Sequence, residues 1–190
     1  SHGPFRATFS AMKHLHEDLA NGGGSMNLLY HDKYGVICAA TSAKFFMQET
    51  YNQQHLRNAD EMHCMTAQFI IDGKMACRNQ NVDLTYSDTK ISAKAEAWQA
   101  EYVFHEDAVE ITLKCNDGIY HLPIVCKKDS RIELSDDRCM IEIDKKLTIT
   151  SDTQMNVDCT KREFHQVGGF LYLPIFVEVQ GETKLLLKIQ

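Results

Sequence analysis

The stretch GGGSMNLLYHDKYGVICAATSAKFFMQE, residues 22–49, decides the predicted fold. Three glycines precede a mostly apolar run, Met26 to Tyr30, and a polar turn separates it from a second run, Val36 to Ala40. Two short β-rich runs joined by a Gly-containing turn of about five residues predict a β-hairpin. A third run, Lys44 to Gln48, continues the meander. The glycines themselves predict a tight turn or bulge, because the Lys-Ser/Thr and helix of a phosphate loop do not follow them.

Strand candidates fill the rest of the chain. Phe5 to Ala11 alternates apolar and polar residues, and Asp72-Gly73 between two apolar runs is the clearest hairpin signal. Asn116-Asp117-Gly118 and Gln180-Gly181-Glu182 are predicted to be turns between strands. Strands that recur about every 8–12 residues predict an all-β fold, an antiparallel multi-stranded β-sandwich. The further candidates are His63 to Ile71, Lys74 to Arg78, Ile91 to Ala97, Glu101 to His105, Ala108 to Cys115, Ile119 to Cys126, Arg131 to Leu134, Cys139 to Ile143, Lys146 to Thr150, Met155 to Cys159, Gly169 to Val179 and Thr183 to Ile189.

Length and charge limit the class of protein. The 190 residues predict a single domain, residues 1–190. The formal net charge of −6 provides no basic stripe for nucleic-acid phosphates. No apolar run approaches the ~20 residues that span a bilayer, so no membrane span is predicted. Because the start, Ser-His-Gly-Pro, resembles a tag scar or a cut end, we expect a fragment of a longer protein.

The seven cysteines have long, irregular spacings and no C-x-x-C pair. This pattern lacks the usual structural zinc signatures. Most of the cysteines lie in apolar runs, which favours buried thiols over disulfides because a free Cys packs like a small hydrophobic residue. The odd number leaves at least one thiol without an intrachain partner.

Histidines and carboxylates provide the candidate metal ligands. His14 and His16 lie two residues apart, so on a strand both project from one face, and Asp32 and His63 would have to join them from other strands. This set predicts a zinc site. The alternative interpretation is an exposed polar turn at 14–18 and a solvated His31-Asp32 pair, since a zinc site needs three or four converging ligands.

Aromatic residues are the second kind of candidate, because an exposed ring stacks on sugar rings. Tyr51, Tyr86, Trp98 and Tyr102 are the candidates for such contacts. Aromatic residues of β-sandwiches more often belong to the core, so the same residues also fit a purely structural role.

The segment from Gly22 to Thr41, continued through FFMQE to Asn52-Gln53-Gln54, resembles the C-terminal β-domain of heparinase II/III-like proteins. The features in common are the glycine-led strand ending in Leu-Tyr-His, the following Ala-Ala-Thr strand, and Glu49, Asn52 and Gln54 at matching spacing. The likeness also covers Arg6 to Phe9 and fades after about Lys90.

The resemblance implies a large β-sandwich that follows an α/α-toroid in bacterial polysaccharide lyases, as found in Bacteroides-type bacteria. It also implies an acidic polysaccharide or oligosaccharide as partner and a periplasmic or cell-surface location. In the active relatives the toroid supplies most of the catalytic residues, and the β-domain adds a His and often zinc through an H-x-H motif, which His14 and His16 match in form.

Three hypotheses follow. In the first, this chain is a non-catalytic β-sandwich domain of a carbohydrate-active protein, without a cofactor. In the second, it is half of a lyase active site that contributes histidines and zinc. In the third, it is a carbohydrate-binding or protein-interaction module.

Overall fold

A computed structural model describes residues 3–12, 22–40, 66–77, 80–160, 163–165 and 169–190. Within these residues the regular structure is entirely β. The strands are β1 (Phe5–Phe9), β2 (Met26–His31), β3 (Gly35–Ala39), β4 (Gln68–Ile71), β5 (Lys74–Met75), β6 (Asp83–Tyr86), β7 (Lys90–Lys94), β8 (Trp98–Phe104), β9 (Ala108–Val125), β10 (Ile132–Leu134), β11 (Met140–Ile143), β12 (Leu147–Ser151), β13 (Met155–Asn156), β14 (Glu163–His165) and β15 (Phe170–Ile189). No helix of the described part is long and apolar enough to cross a membrane.

Two antiparallel sheets form the sandwich. The small sheet has the order β1-β2-β3. The large sheet follows the path β10-β11-β12-β15-β9-β8-β7-β6, with β4, β5, β13 and β14 attached beside β9 and β15. Side chains of the small sheet pack on the large one, where the ring of Phe9 lies 4.7 Å from that of Tyr102 and the ring of Phe5 lies 6.0 Å from that of Phe104. The predicted all-β sandwich is confirmed.

The first hairpin and the Asp72-Gly73 turn are also confirmed. β2 and β3 pair through the turn at 32–34, and Phe5, Ala7 and Phe9 of β1 alternate with exposed polar residues as predicted. Asp72 and Gly73 both have positive φ, 52° and 71°, which is the backbone of the two-residue turn that matches strand twist. The run Lys44 to Gln48 lies outside the described residues.

The two long strands contradict two predicted turns. β9 and β15 each run through the segment predicted as a turn, and they pair with each other from Tyr172↔Val125 to Lys188↔Ala108. Val179 pairs with Gly118 and Gly181 pairs with Cys115, so β9 has one extra residue at this point. The turn-like residues therefore form a β-bulge that bends a continuous pair of strands.

Pro123 and Pro174 face each other across this pair. Neither can donate an N–H, so they occupy a position where the opposed residues do not exchange hydrogen bonds. Three residues along the pair, the Cys126 N–H donates to the Leu171 carbonyl at 2.9 Å. Since hydrogen-bonded and non-hydrogen-bonded pairs alternate, the pair of prolines is a non-hydrogen-bonded one. On the other side of β9, the pairing with β4 ends at His121, before Pro123. On the other side of β15, the described partners β13 and β14 pair with residues on either side of Pro174 but not with Pro174 itself. Both prolines thus lie at local edges, which is where strands tolerate proline.

Strand β6 was missed from the sequence. The segment from Asn79 to Lys90 is polar and contains no predicted strand, but Asp83–Tyr86 pairs with Ile91–Lys94 at one end of the large sheet. An edge strand pairs on one side only and has little buried surface, so its sequence lacks the apolar alternation of an inner strand.

The core lies between the sheets and contains several of the cysteines. Cys38, Cys77 and Cys115 are buried free thiols, and Cys126 is buried as well. Cys64 lies outside the described residues, and Cys139 and Cys159 are half-buried. Burial raises the pKa of the Cys38 and Cys77 thiols above its ordinary value, because the thiolate loses its hydration there. Those two thiols therefore stay protonated and pack as small apolar side chains, as predicted.

Candidate functional site

The predicted zinc ligands are only partly within the described structure. His14, His16 and His63 lie outside the described residues. Asp32 lies in the β2–β3 turn, is exposed, and donates its backbone N–H to the Pro4 carbonyl at 3.1 Å. Among the residues that the structure does describe, no group of three or more His, Cys, Asp or Glu side chains is placed to hold a metal ion. The zinc site remains a prediction.

His31, next to Asp32, has a structural role instead of the solvated position expected for it. It is 2% exposed, and its ring packs edge-on against Phe5 at 4.6 Å. Its Nδ1 accepts the Lys33 N–H at 3.2 Å, which leaves Nε2–H to donate to the Glu106 carbonyl at 3.3 Å. Both ring nitrogens are therefore occupied, and the ring ties the turn of the small sheet to the β8–β9 connection.

Buried tyrosines form hydrogen bonds through their hydroxyls, one within the large sheet and one between the two sheets. The Tyr102 and Tyr120 hydroxyl oxygens are 2.8 Å apart, and the Tyr172 hydroxyl donates to the Ala39 carbonyl at 2.5 Å. Burial is the main cause that raises the pKa of all three phenols, because the phenolate loses its hydration. All three side chains are sealed in the core, so none reaches a bound polymer.

The four candidate stacking aromatics separate into different environments. Trp98 is 4% exposed and Tyr102 is fully buried, so both belong to the core. Tyr51 lies outside the described residues. Tyr86 is 82% exposed and is the candidate whose ring is available to a ligand.

The strand register explains why Tyr86 is exposed. Tyr86 pairs with Ile91, Ile91 with Tyr102, and Tyr102 with Ile111, so these side chains form one row on the inner face of the large sheet. The small sheet covers the middle of this row. β6 is the edge strand, and the row ends there in an inward-facing ring that the small sheet does not cover.

A cleft of about 450 Å³ opens at this edge, between β1 and the strands β6 to β8. We call it the sandwich-mouth cleft. Phe5, Ala7, Ile91 and Phe104 line its apolar part. Further along, the Val82 N–H donates to the Ala11 carbonyl at 3.0 Å, which joins the two layers and closes the mouth on that side.

The rim of the sandwich-mouth cleft is polar. Tyr86, Ser87, Asp88 and Lys90 line it, and the Ser87 N–H donates to the Lys90 carbonyl at 2.8 Å to close the β6–β7 turn. The Asp88 side chain is exposed and has no hydrogen-bond or ion-pair partner among the described residues. It is therefore free to accept hydrogen bonds from a ligand.

The charge of Lys90 is directed away from the cleft. Ile91 and Tyr102 face inward, so their neighbours Lys90 and Glu101 face the outer side of the sheet. There the Lys90 ammonium lies 2.7 Å from the Glu101 carboxylate. Among the lining residues that the structure describes, the charge without an ion-pair partner is consequently that of Asp88. The cleft combines an aromatic ring, apolar walls and a carboxylate that can accept hydrogen bonds from hydroxyl groups.

Sequence reasoning found Tyr86 but missed Ser87 and Asp88. They lie in a polar segment without a predicted strand, and their position at a cleft depends on the approach of β1, which is about 80 residues away in the chain. The sequence feature that could have indicated them is the polar turn directly after Tyr86.

Comparison with known proteins identifies the family. The family model of the ulvan lyase C-terminal domain matches residues 1–78 and 71–190, which together span the whole chain. This chain belongs to the ulvan lyase C-terminal domain family. The polysaccharide-lyase relationship expected from the sequence is therefore confirmed, and its heparinase II/III-like character remains a prediction.

A curated relative agrees with this assignment, and a solved structure has a similar fold. A broad-specificity ulvan lyase from Formosa agariphila is 26% identical over 223 residues, and the match covers 100% of this chain and 35% of that lyase. The chain thus spans about a third of the relative's length. A crystal structure of an Escherichia coli K12 protein described as an aldose 1-epimerase matches with a TM-score of 0.55 at 9% identity, covering 100% of this chain and 97% of that chain. At that identity the likeness shows the fold alone.

Proposed function

We propose that this ulvan lyase C-terminal domain is a non-catalytic β-sandwich of a longer polysaccharide lyase that acts on an acidic polysaccharide of the ulvan kind. The observation that carries the proposal is the family match, which extends over the whole chain. Since the chain spans only 35% of the related lyase, the remaining part of such a protein supplies the catalytic residues in this proposal. A heparinase II/III-like parent with an α/α-toroid, and a periplasmic or cell-surface location, belong to the same proposal.

Three tyrosines and one histidine of the described residues occupy structural positions, which supports a non-catalytic role. A lyase removes a proton next to a uronate carboxylate, so its base and acid must reach the substrate. Here Tyr102, Tyr120 and Tyr172 are buried, with hydroxyls that are hydrogen-bonded within the core, and His31 has both ring nitrogens occupied. Each of these groups stabilises the sandwich.

An activity assay tests the proposal. The longer protein and the 190-residue chain are incubated separately with ulvan, heparin and alginate, and the ultraviolet absorbance of the unsaturated uronate product is followed. We expect the longer protein to release this product from at least one polymer, and the 190-residue chain to release none. Product formation by the 190-residue chain alone would contradict a non-catalytic role, and no product from the longer protein would contradict the lyase assignment.

A further inference from the structure

We propose that the sandwich-mouth cleft is a sugar-binding subsite that takes one pyranose unit against the Tyr86 ring and disfavours a unit with an anionic group facing Asp88. The inference rests on the proposed function for the class of ligand, a polysaccharide. Its location and selectivity rest on the geometry of β1, β6 and β7.

The first argument is the exposure of the Tyr86 ring. A large aromatic side chain that faces inward in a sandwich normally contributes to the core, yet Tyr86 is 82% exposed while its row partner Tyr102 is fully buried. The exposed ring stands beside an apolar wall formed by Phe5, Ile91 and Phe104. An apolar surface with an aromatic ring is suited to the C–H face of a sugar.

The second argument is the size and polarity of the cleft. Its volume of about 450 Å³ falls within the range of small-ligand sites, roughly 300–1,000 Å³. Such sites combine apolar walls with a few polar groups that fix the orientation of the ligand. Ser87 and the Asp88 carboxylate are such groups, because Asp88 has no partner in the described structure and a carboxylate accepts hydrogen bonds from sugar hydroxyls.

The third argument concerns charge. The lysine that lines the rim, Lys90, forms an ion pair with Glu101 on the outer face at 2.7 Å. Within the described lining, the charge that remains uncompensated is the negative one of Asp88, and like charges at close range repel. The subsite therefore favours a sugar that presents hydroxyls to Asp88, and in an acidic polymer it positions the carboxylate or sulfate groups away from this rim.

Calorimetric titration of the 190-residue chain with ulvan oligosaccharides tests the subsite. We expect Tyr86→Ala to weaken binding at least about tenfold, which equals about 1.4 kcal/mol. Tyr86→Phe keeps the ring and should bind like the unmodified chain. Met140→Ala is the matched control, because Met140 is 43% exposed on β11, toward the opposite end of the large sheet. Unchanged thermal unfolding of each variant shows that the fold is retained.

The same calorimetric titration, carried out with two classes of oligosaccharide, tests whether the subsite disfavours anionic sugar units. Alginate oligosaccharides carry a carboxylate on every unit and cello-oligosaccharides carry none, so the unmodified chain should bind the alginate oligosaccharides more weakly than the neutral ones. Asp88→Asn removes the negative charge and should narrow this difference. A difference that Asp88→Asn leaves unchanged would overturn the assigned selectivity.

The outcomes separate this inference from the proposed function. Equal binding by Tyr86→Ala and the unmodified chain, or no binding by either while the longer protein cleaves ulvan, overturns the subsite and leaves the lyase assignment standing. Binding that depends on Tyr86, together with a longer protein that cleaves no acidic polymer, supports the subsite and overturns the lyase assignment. Protection of Tyr86 from nitration in the ligand-free longer protein would show that protein covers the cleft, and would also overturn the subsite.

Discussion

At the scale of single residues, the phenol groups show how burial and hydrogen bonding determine the role of a side chain. Tyr102 and Tyr120 pair through their hydroxyls at 2.8 Å inside the core, and each satisfies the polar group of the other. Tyr86 has the same side chain at the end of the Tyr102 row, but it lies outside the cover of the small sheet. One residue type thus serves as a core cross-link in one place and as a candidate ligand contact in the other.

Tyr102→Phe should destabilise the domain by about 1–3 kcal/mol, because it leaves the buried Tyr120 hydroxyl without its partner. Urea unfolding measures the change. The double variant Tyr102→Phe with Tyr120→Phe should lose less than the sum of the two single variants, since both polar groups are removed together. Strictly additive losses would show that the hydroxyl pair contributes no coupling energy.

The free energy of unfolding should fall as the pH rises above about 9. The ordinary pKa is 9.0 for the thiols of Cys38 and Cys77 and 10.0 for the phenols, and burial raises the pKa of Tyr34 to about 12 and those of Tyr102, Tyr120 and Tyr172 well above 10.0.

In the unfolded chain these groups lose protons first, so deprotonation favours unfolding, and the stability present below the ordinary pKa is lost above it. Urea titrations on either side of this range provide the measurement. A Cys38→Ala variant should lose stability less steeply above about pH 9 than the chain that keeps the thiol, because Cys77 is then the one of these two thiols that still titrates. Constant stability across the range would contradict the burial of these groups.

At the scale of elements, glycines mark the places where a side chain would not fit. Gly24 has a φ of +89°, and a Cβ built there would lie 2.1 Å from Cη2 of Trp98. Its neighbours close a turn in which the Ser25 N–H donates to the Gly22 carbonyl at 3.2 Å. The turn predicted at the three glycines is therefore confirmed, and its position directly over the Trp98 ring explains why glycine is needed there.

Gly24→Ala should destabilise the domain by roughly 2–5 kcal/mol, from about 1–2 kcal/mol of backbone strain and about 1–3 kcal/mol of overpacking against Trp98. Gly35→Ala is the matched control, because Gly35 has a φ of +94° but nothing within 4 Å of the added Cβ. The control should show the backbone strain alone. Thermal or urea unfolding of both variants makes the comparison, and equal losses would show that Trp98 moves aside without cost.

Local signals predicted the short hairpins, while the long strands depended on pairing across the sheet. Asp72-Gly73 forms its turn because both residues adopt positive φ within a two-residue loop. The turn predicted at Asn116-Asp117-Gly118 was wrong, because these residues form a bulge opposite Gly181 and the strand continues through them. A Cβ at Gly118 would lie 3.0 Å from the Cys115 Sγ and 3.3 Å from the Ile70 carbonyl, so a side chain there would crowd its neighbours in the sheet.

At the scale of the whole molecule, contacts between distant segments join the two sheets. Tyr172 lies on β15 and donates to the Ala39 carbonyl on β3, a residue 133 positions away in the chain. His31 makes a similar connection from the small sheet to the Glu106 carbonyl. The small sheet is thus fixed to the large one at both ends of the β2–β3 hairpin, and the open edge lies beside β1 and β6.

Tyr172→Phe should loosen the small sheet more than the large one. Loss of a typical hydrogen bond costs about 0.5–1.5 kcal/mol, and the Ala39 carbonyl loses its partner from β15. Hydrogen exchange measured by mass spectrometry should therefore become faster in peptides from β2 and β3. Peptides from β11 and β12 are the internal control and should keep their rates. Uniformly faster exchange in all four strands would show that the two sheets open as one unit.

The sequence alone determined the β architecture, the hairpin turns and the apolar packing of the cysteines, because these depend on periodicity and on turn residues within a few positions of each other. It also placed Tyr86 among the candidate sugar contacts. Only the tertiary structure decided that Trp98 and Tyr102 are core residues while Tyr86 is exposed, and that Asp88 lies beside it at the rim of a cleft. The physical reason is that exposure at a sandwich edge depends on where a distant strand, here β1, stops covering its partner, and no local pattern encodes that limit.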